Sequence, residues 1–257
     1  MTEAAPNPGL QPGQVIDGRF VVENLLGKGG QGVVYKVRHL EWNRDFALKL
    51  PLPQSVKTFV ARERYVKEAQ TWIRMGVHPN IVRCWFVMPV AELPGLFLDL
   101  VSGGTLEDRI ESGEVQPGRW DVVLKTLLEL AEGLVHSHSK GVVHRDLKPE
   151  NLMIRRDGTL SITDFGLVKT VEGHDPDDEA SSSLIPEEAM GTPRYGAPEQ
   201  WLFFSNEAAA TDIYSFGAIL FELICGQRPF DPPGRGGGAL AIINRHVTEQ
   251  PPNPLDI

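Results

Sequence analysis

The sequence predicts an α+β chain in which strands come first and helices dominate later. Three observations carry this. Runs rich in β-branched and aromatic residues crowd the part before Val101: Phe20 to Gly27, Gly32 to Leu40, Phe46 to Lys49, Trp85 to Met88 and Leu96 to Leu100. Between them only Thr58 to Met75 has helical spacing, with Val60, Tyr65, Ala69, Trp72 and Ile73 set for one apolar face. Later the periods lengthen. Trp120 to Ser139 is amphipathic, with Trp120, Val123, Leu124, Leu127, Leu130, Ala131 and Leu134 expected on its apolar face, and Thr211 to Cys225 is apolar nearly all round, as a helix buried within a lobe should be.

At 257 residues, 41% hydrophobic and 8% aromatic, the chain can bury one large core or two modest lobes. Residues 1–13 are rich in Pro, Gly and small polar types without periodicity; a flexible tail is expected there, with order beginning near Val15. This start lacks the basic and apolar regions of a signal peptide, and no apolar run reaches the length of a membrane span. Cys84 and Cys225 sit far apart in apolar runs and read as buried thiols in a reducing compartment, so a cytoplasmic chain is expected. The formal charge of −9 is mostly local, because seven acidic residues and no Lys or Arg lie between Glu172 and Glu188. No nucleic-acid face is expected.

The motifs narrow the chemistry. Gly27-Lys28-Gly29-Gly30-Gln31-Gly32 has the GxGxxG form, which in a dinucleotide fingerprint must open a helix. Val33-Val34-Tyr35-Lys36-Val37 follows instead, so the glycines form a hairpin flap whose amides can approach phosphates. Phe46-Ala47-Leu48-Lys49 ends an apolar run in a cation, and a lysine buried alone would lose its proton. Glu68 and Glu63, both on the helix, compete as its carboxylate partner. His136 and His138 are two apart on a helix and face different sides, so they read as structural. In His144-Arg145-Asp146-Leu147-Lys148-Pro149-Glu150-Asn151, followed by Asp164-Phe165-Gly166, Asp146 can receive a hydroxyl proton while Asn151 and Asp164 hold Mg²⁺. Lys148 beside that base would steady a transferring phosphoryl group.

These last two stretches resemble the catalytic loop and Asp-Phe-Gly turn of Hanks-type (eukaryotic-like) protein kinases, and Lys148 points to the Ser/Thr branch. The resemblance implies a bilobal fold, with a small antiparallel β lobe plus one helix over residues 14–101, a larger mainly helical lobe over 102–257, and ATP between them. It implies Mg²⁺-dependent transfer of the ATP γ-phosphoryl group to Ser or Thr hydroxyls of protein substrates, the chain itself among them. The rival readings are a nucleotide-binding pseudokinase without turnover and a small-molecule phosphotransferase. Against the first, Lys49, Asp146, Asn151 and Asp164 are all present; against the second, Gly191 to Glu199 looks like a peptide-docking element.

Residue by residue, Lys49 would grip the α- and β-phosphates with Glu68 as its favoured partner, under a flap formed by Gly27, Lys28, Gly29, Gly30, Gln31 and Gly32. The flap lacks the usual aromatic at Gly30-Gln31 and is expected to be mobile. Val34, Ala47 and Met153 would enclose the adenine, Leu98 would guard the back of the pocket, and the backbone of Asp99 and Val101 would bond the adenine edge. Glu150 would favour basic residues before the acceptor. Asp212 would bond the backbone of the catalytic loop. In the activation segment Thr192 would bridge Asp146 and Lys148, and Arg145 would seek an anion from Glu188, or from Ser181, Ser182 or Ser183 once phosphorylated. The resemblance fades near Pro252, before the further helices that in the family brace the glutamate of Ala-Pro-Glu, here Glu199; a lobe lacking its last helices is expected.

Overall fold

The computed structural model describes residues 9–166, 193–202, 208–231 and 238–257. They divide into two compact units, one holding the described residues up to Val77 with Val82–Val101, the other His78–Ile81, Ser102–Gly166 and those from Pro193 on.

The first unit is an antiparallel sheet of β1 (Val15–Ile16), β2 (Phe20–Gly29), β3 (Gly32–His39), β4 (Arg44–Leu50), β5 (Cys84–Val90) and β6 (Leu93–Asp99), in the order β1-β2-β3-β4-β6-β5. Side chains alternate across a strand, so Val33, Tyr35 and Val37 turn one way and join Phe20, Phe46, Leu48, Leu50 and Phe97 in a core. Leu10 joins it too, only 7% exposed, and the Gly13 N–H donates to the Val22 carbonyl at 2.8 Å. The tail expected through residue 13 is therefore attached from Leu10 onward. A single leucine among prolines and glycines has no period to announce it.

The β5–β6 hairpin turns at Ala91 and Glu92, whose φ values of 45° and 66° are those of a two-residue primed turn. Strand β6 begins three residues before the expected Leu96 because Pro89 and Pro94, paired across the hairpin, interrupt the strand signal. Helix α1 (Phe59–Arg74) opens on Thr58, whose Oγ1 accepts from the Ala61 N–H at 3.1 Å. It buries Tyr65, Ala69 and Trp72, and Trp72 Nε1 donates to the Val82 carbonyl at 2.9 Å. Val60, expected on that face, is 65% exposed. Five residues before Tyr65 lies about 140° around a helix that turns about 100° per residue.

The second unit holds α2 (Leu106–Glu111), α3 (Trp120–Ser139), α4 (Glu199–Leu202), α5 (Ala209–Cys225), α6 (Ala239–Thr248) and a ribbon of β7 (Leu152–Ile154) with β8 (Leu160–Ile162). A capping box starts α2: Thr105 Oγ1 accepts from the Asp108 N–H, and Asp108 accepts from the Thr105 N–H at 2.7 Å. Residues His78–Ile81 belong to this unit because Asn80 Nδ2 donates to the Leu160 carbonyl at 2.9 Å and Ile81 bridges to Ile162. Helix α3 buries Val123, Leu127, Leu130 and Leu134, while Trp120 and Leu124, expected on the buried face, are mostly exposed. At Gly133 a side chain would meet the Asn80 carbonyl oxygen at 2.8 Å, so only glycine lets α3 approach so closely.

Both cysteines are free thiols, and burial pushes Cys84 up to about 12. Among the described residues no helix is long and apolar enough to cross a membrane.

Candidate active site

In the first unit, strand register decides which side chains share a face. Val34 pairs with Lys49, and Ala47 with Leu98, so these four residues stand on the side of the sheet opposite the core residues Val33, Tyr35, Leu48 and Phe97. Lys49 is only 4% exposed, and its Nζ donates to Gln31 Oε1 at 3.1 Å. Gln31, at the tip of the β2–β3 hairpin, thus reaches back to the lysine, a contact no motif announces. At Gly32 φ is +138°, and a Cβ would lie 2.1 Å from the Leu50 carbonyl oxygen, so the hairpin base needs glycine. On α1, Glu68 is half-buried beside the buried Ala69, whereas Glu63 is exposed.

At the end of β6 the Asp99 N–H donates to the Arg83 carbonyl at 2.9 Å. The Asp99 carboxylate accepts from Trp85 Nε1 at 2.8 Å and from Arg44 at 2.9 Å. The Trp85 indole lies between the guanidinium groups of Arg83 and Arg44, 3.6 and 4.1 Å from its ring.

The second unit holds the catalytic-loop half. Asp212 on α5 is fully buried and accepts from the His144 and Arg145 N–H groups, each at 2.8 Å, and from His138 Nε2 at 2.7 Å. His144, also fully buried, donates from Nε2 to the Thr163 carbonyl at 2.7 Å and accepts at Nδ1 from the Asp146 N–H at 3.2 Å. Those two bonds require the neutral ring protonated at Nε2. Phe165, 2% exposed, sets its ring edge-on to His144 at 4.9 Å, and the Gly166 N–H donates to the His144 carbonyl. Arg145 and Asp164 both adopt left-handed backbone, φ 68° and 65°. Non-glycine residues keep that conformation only where their surroundings hold them.

Asp146, Lys148 and Asn151 converge. Lys148 Nζ is 3.2 Å from Asp146 Oδ2, and Asn151 Nδ2 donates to the Asp146 carbonyl at 2.7 Å and to Oδ2 at 3.2 Å. Asn151 is 5% exposed and carries an amide oxygen, Oδ1, and the half-buried Asp164 carries a carboxylate. Among the described residues no group of three or more His, Cys, Asp or Glu could hold a metal ion. Mg²⁺ needs no such cage, because it is bound through one or two protein oxygens plus substrate phosphates and water. Met153 on β7 is half-buried and bridges to Thr105.

Residues 20–250 match the protein kinase domain family. The chain belongs to the protein kinase family. It is 36% identical over 222 residues to serine/threonine-protein kinase pkn2 of Myxococcus xanthus, covering 85% of this chain and 26% of that protein. It is 33% identical over 253 residues to the DNA damage-responsive serine/threonine-protein kinase RqkA of Deinococcus radiodurans, covering 96% and 35%. With CBL-interacting protein kinase 12 of rice it shares 34% over 219 residues, covering 85% and 38%. The chain thus spans about a quarter to two fifths of these relatives. Its sheet-plus-helix unit and its mainly helical unit are the two lobes of the kinase fold.

In this kinase the positions Ser181, Ser182, Ser183, Glu188 and Thr192 lie outside the described residues. The chain is described again at the short turn Pro193–Tyr195, where a second cluster appears that sequence reasoning missed. The Tyr195 hydroxyl donates to Glu222 at 2.6 Å, and Arg228 reaches Glu222 and the Tyr195 oxygen at 2.9 Å and Glu107 at 3.3 Å. Burial raises the Glu222 carboxyl, and burial together with Glu150 raises that of Glu107. Glu107 and Glu150 each keep one buried carboxylate oxygen without a hydrogen-bond partner among the described residues. A glutamate in the apolar second half of α5 was the available signal, since a buried charge demands a partner. Glu199 accepts from Thr211 Oγ1 at 2.8 Å.

Proposed function

We propose that this chain transfers the γ-phosphoryl group of ATP to Ser and Thr hydroxyls of proteins, its own among them. The observation that carries the reading is the convergence of Lys148 and Asn151 on Asp146, which fixes one carboxylate oxygen and the loop that bears it. In this reading the acceptor oxygen attacks the γ-phosphorus, the bond to the β–γ bridging oxygen breaks, and ADP leaves. The hydroxyl proton passes to Asp146. Lys148 donates to the oxygens of the moving phosphoryl group, whose charge is spread in the transition state. Asn151 and Asp164 are the residues that would hold Mg²⁺, which when bound neutralises charge on the phosphates.

Lys49, aligned by Glu68, would grip the α- and β-phosphates, with a phosphate oxygen replacing Gln31 Oε1 as its acceptor. The amides of Gly27–Gly32 would cover the phosphates. Val34, Ala47, Leu98 and Met153 would contact the adenine, whose edge would meet the Asp99 carbonyl and the Val101 N–H. Glu150, two residues after Lys148, would favour substrates with basic residues before the acceptor. The serine/threonine kinase names of the relatives support the acceptor class, and the free thiols support a reducing, cytoplasmic setting.

The test is labelled-phosphate transfer from ATP to dephosphorylated casein by wild type, Lys49→Met and Asp146→Asn. Wild-type turnover with at least a hundredfold loss in both variants is expected. Counts from wild type no higher than the background given by Asp146→Asn would turn the reading toward a nucleotide-binding module without turnover.

A further inference from the structure

The carbonyl of Arg145 and the N–H of Asp146 belong to one peptide group, directly before the carboxylate assigned as proton acceptor. Its nitrogen donates to His144 Nδ1 at 3.2 Å. Its oxygen accepts from Gln200 Nε2 at 2.7 Å. Gln200 sits on α4, 55 residues away in sequence and 8% exposed, and its Oε1 accepts from the N–H of the fully buried Ala197 at 2.9 Å. One side-chain amide therefore spends its acceptor on the Ala-Pro-Glu turn and a donor on the catalytic loop.

This clip lies where the backbone is least free to hold itself. Arg145 has φ 68°, a conformation that a non-glycine residue keeps only when its neighbours over-determine it. Asp212 fixes the N–H ahead of the strained residue and Gln200 fixes the carbonyl behind it. Remove the second and the peptide plane can rotate, carrying the Asp146 side chain with it. A displacement of about 1 Å at a reacting group costs on the order of a hundredfold in rate.

We propose that Gln200 is a positioning residue for phosphoryl transfer, holding the Arg145–Asp146 peptide plane from the first turn of α4. This rests on Asp146 being the proton acceptor. Two substitutions separate it from a packing role. Gln200→Glu keeps the shape and the acceptor for Ala197 but loses the donor to Arg145; Gln200→Met keeps the length and loses both bonds.

The experiment measures steady-state transfer from ATP to dephosphorylated casein by the full chain, with active sites counted by nucleotide-binding stoichiometry. Asp146→Asn serves as reference. Expected is a ten- to hundredfold fall in kcat per binding site for both Gln200 variants, with KM for ATP changed less than twofold. Wild-type kcat per site in both, whatever their melting temperatures, would overturn the inference while an inactive Asp146→Asn leaves the functional reading standing. Full turnover by Asp146→Asn would overturn the functional reading and this inference with it.

Discussion

Asp212 offers the clearest energetic test of how the catalytic loop is held. Its carboxylate has no solvent exposure and accepts three hydrogen bonds, two from consecutive backbone N–H groups, that of His144 buried and that of Arg145 partly so. Replacing it by alanine leaves both N–H groups unpaired, at about 1–3 kcal/mol each, so Asp212→Ala should lose about 2–6 kcal/mol. Against a typical domain stability of about 5–15 kcal/mol, that is a large fraction. Asp212→Asn keeps one acceptor but turns an NH₂ group toward a second donor, and should lose about 2–4 kcal/mol. Urea unfolding followed by circular dichroism gives both values. Transfer assays below the transition should show kcat down by roughly tenfold or more, because the freed N–H groups flank the strained Arg145. An Asp212→Ala chain within about 0.5 kcal/mol of wild type would refute the claim that this carboxylate carries the loop.

Two further outcomes follow from buried groups in the second unit. His246 is 4% exposed, accepts or donates at Nδ1 with the Tyr214 hydroxyl at 2.8 Å, and burial holds its pKa down to about 4 from an ordinary 6.5. Between pH 6.5 and 4 the unfolded chain binds a proton that the folded chain refuses, so stability is full above pH 6.5 and falls by about 2–3 kcal/mol on the way to pH 4; His246→Gln should flatten that slope in urea titrations run at stepped pH. Gly133→Ala would gain about 1 kcal/mol of helix propensity in open solvent, yet its Cβ would press on the Asn80 carbonyl and Ile162, so a net loss of about 1–3 kcal/mol is expected, and an unchanged or raised urea midpoint would contradict the close packing of α3.

What could be read in advance was whatever lies contiguous along the chain. The catalytic-loop run and the Asp-Phe-Gly turn each bring their chemistry within a few residues, and the glycine hairpin betrays itself by the strand that follows. The ends of α3 emerged where a 20-residue amphipathic period starts and stops. Contacts made by single residues across long separations were not legible. Gln31 on Lys49, Gln200 on Arg145 and Arg228 between Glu107 and Glu222 join positions 18, 55 and 121 apart, and nothing in a glutamine or an arginine alone states its partner. Leu10 was hidden for the same reason. On amphipathic helices the error ran the other way: apolar residues such as Val60 and Leu124 were counted into faces that the helical angle does not bring round.

The indole sandwiched by Arg83 and Arg44 has a practical use. Indole emission responds to nearby charge, and here two guanidinium groups and the Asp99 carboxylate set the local field. In a chain whose other four tryptophans, Trp42, Trp72, Trp120 and Trp201, are replaced by phenylalanine, Trp85 emission should shift when ATP is added if the adenine settles against the Asp99 backbone as proposed.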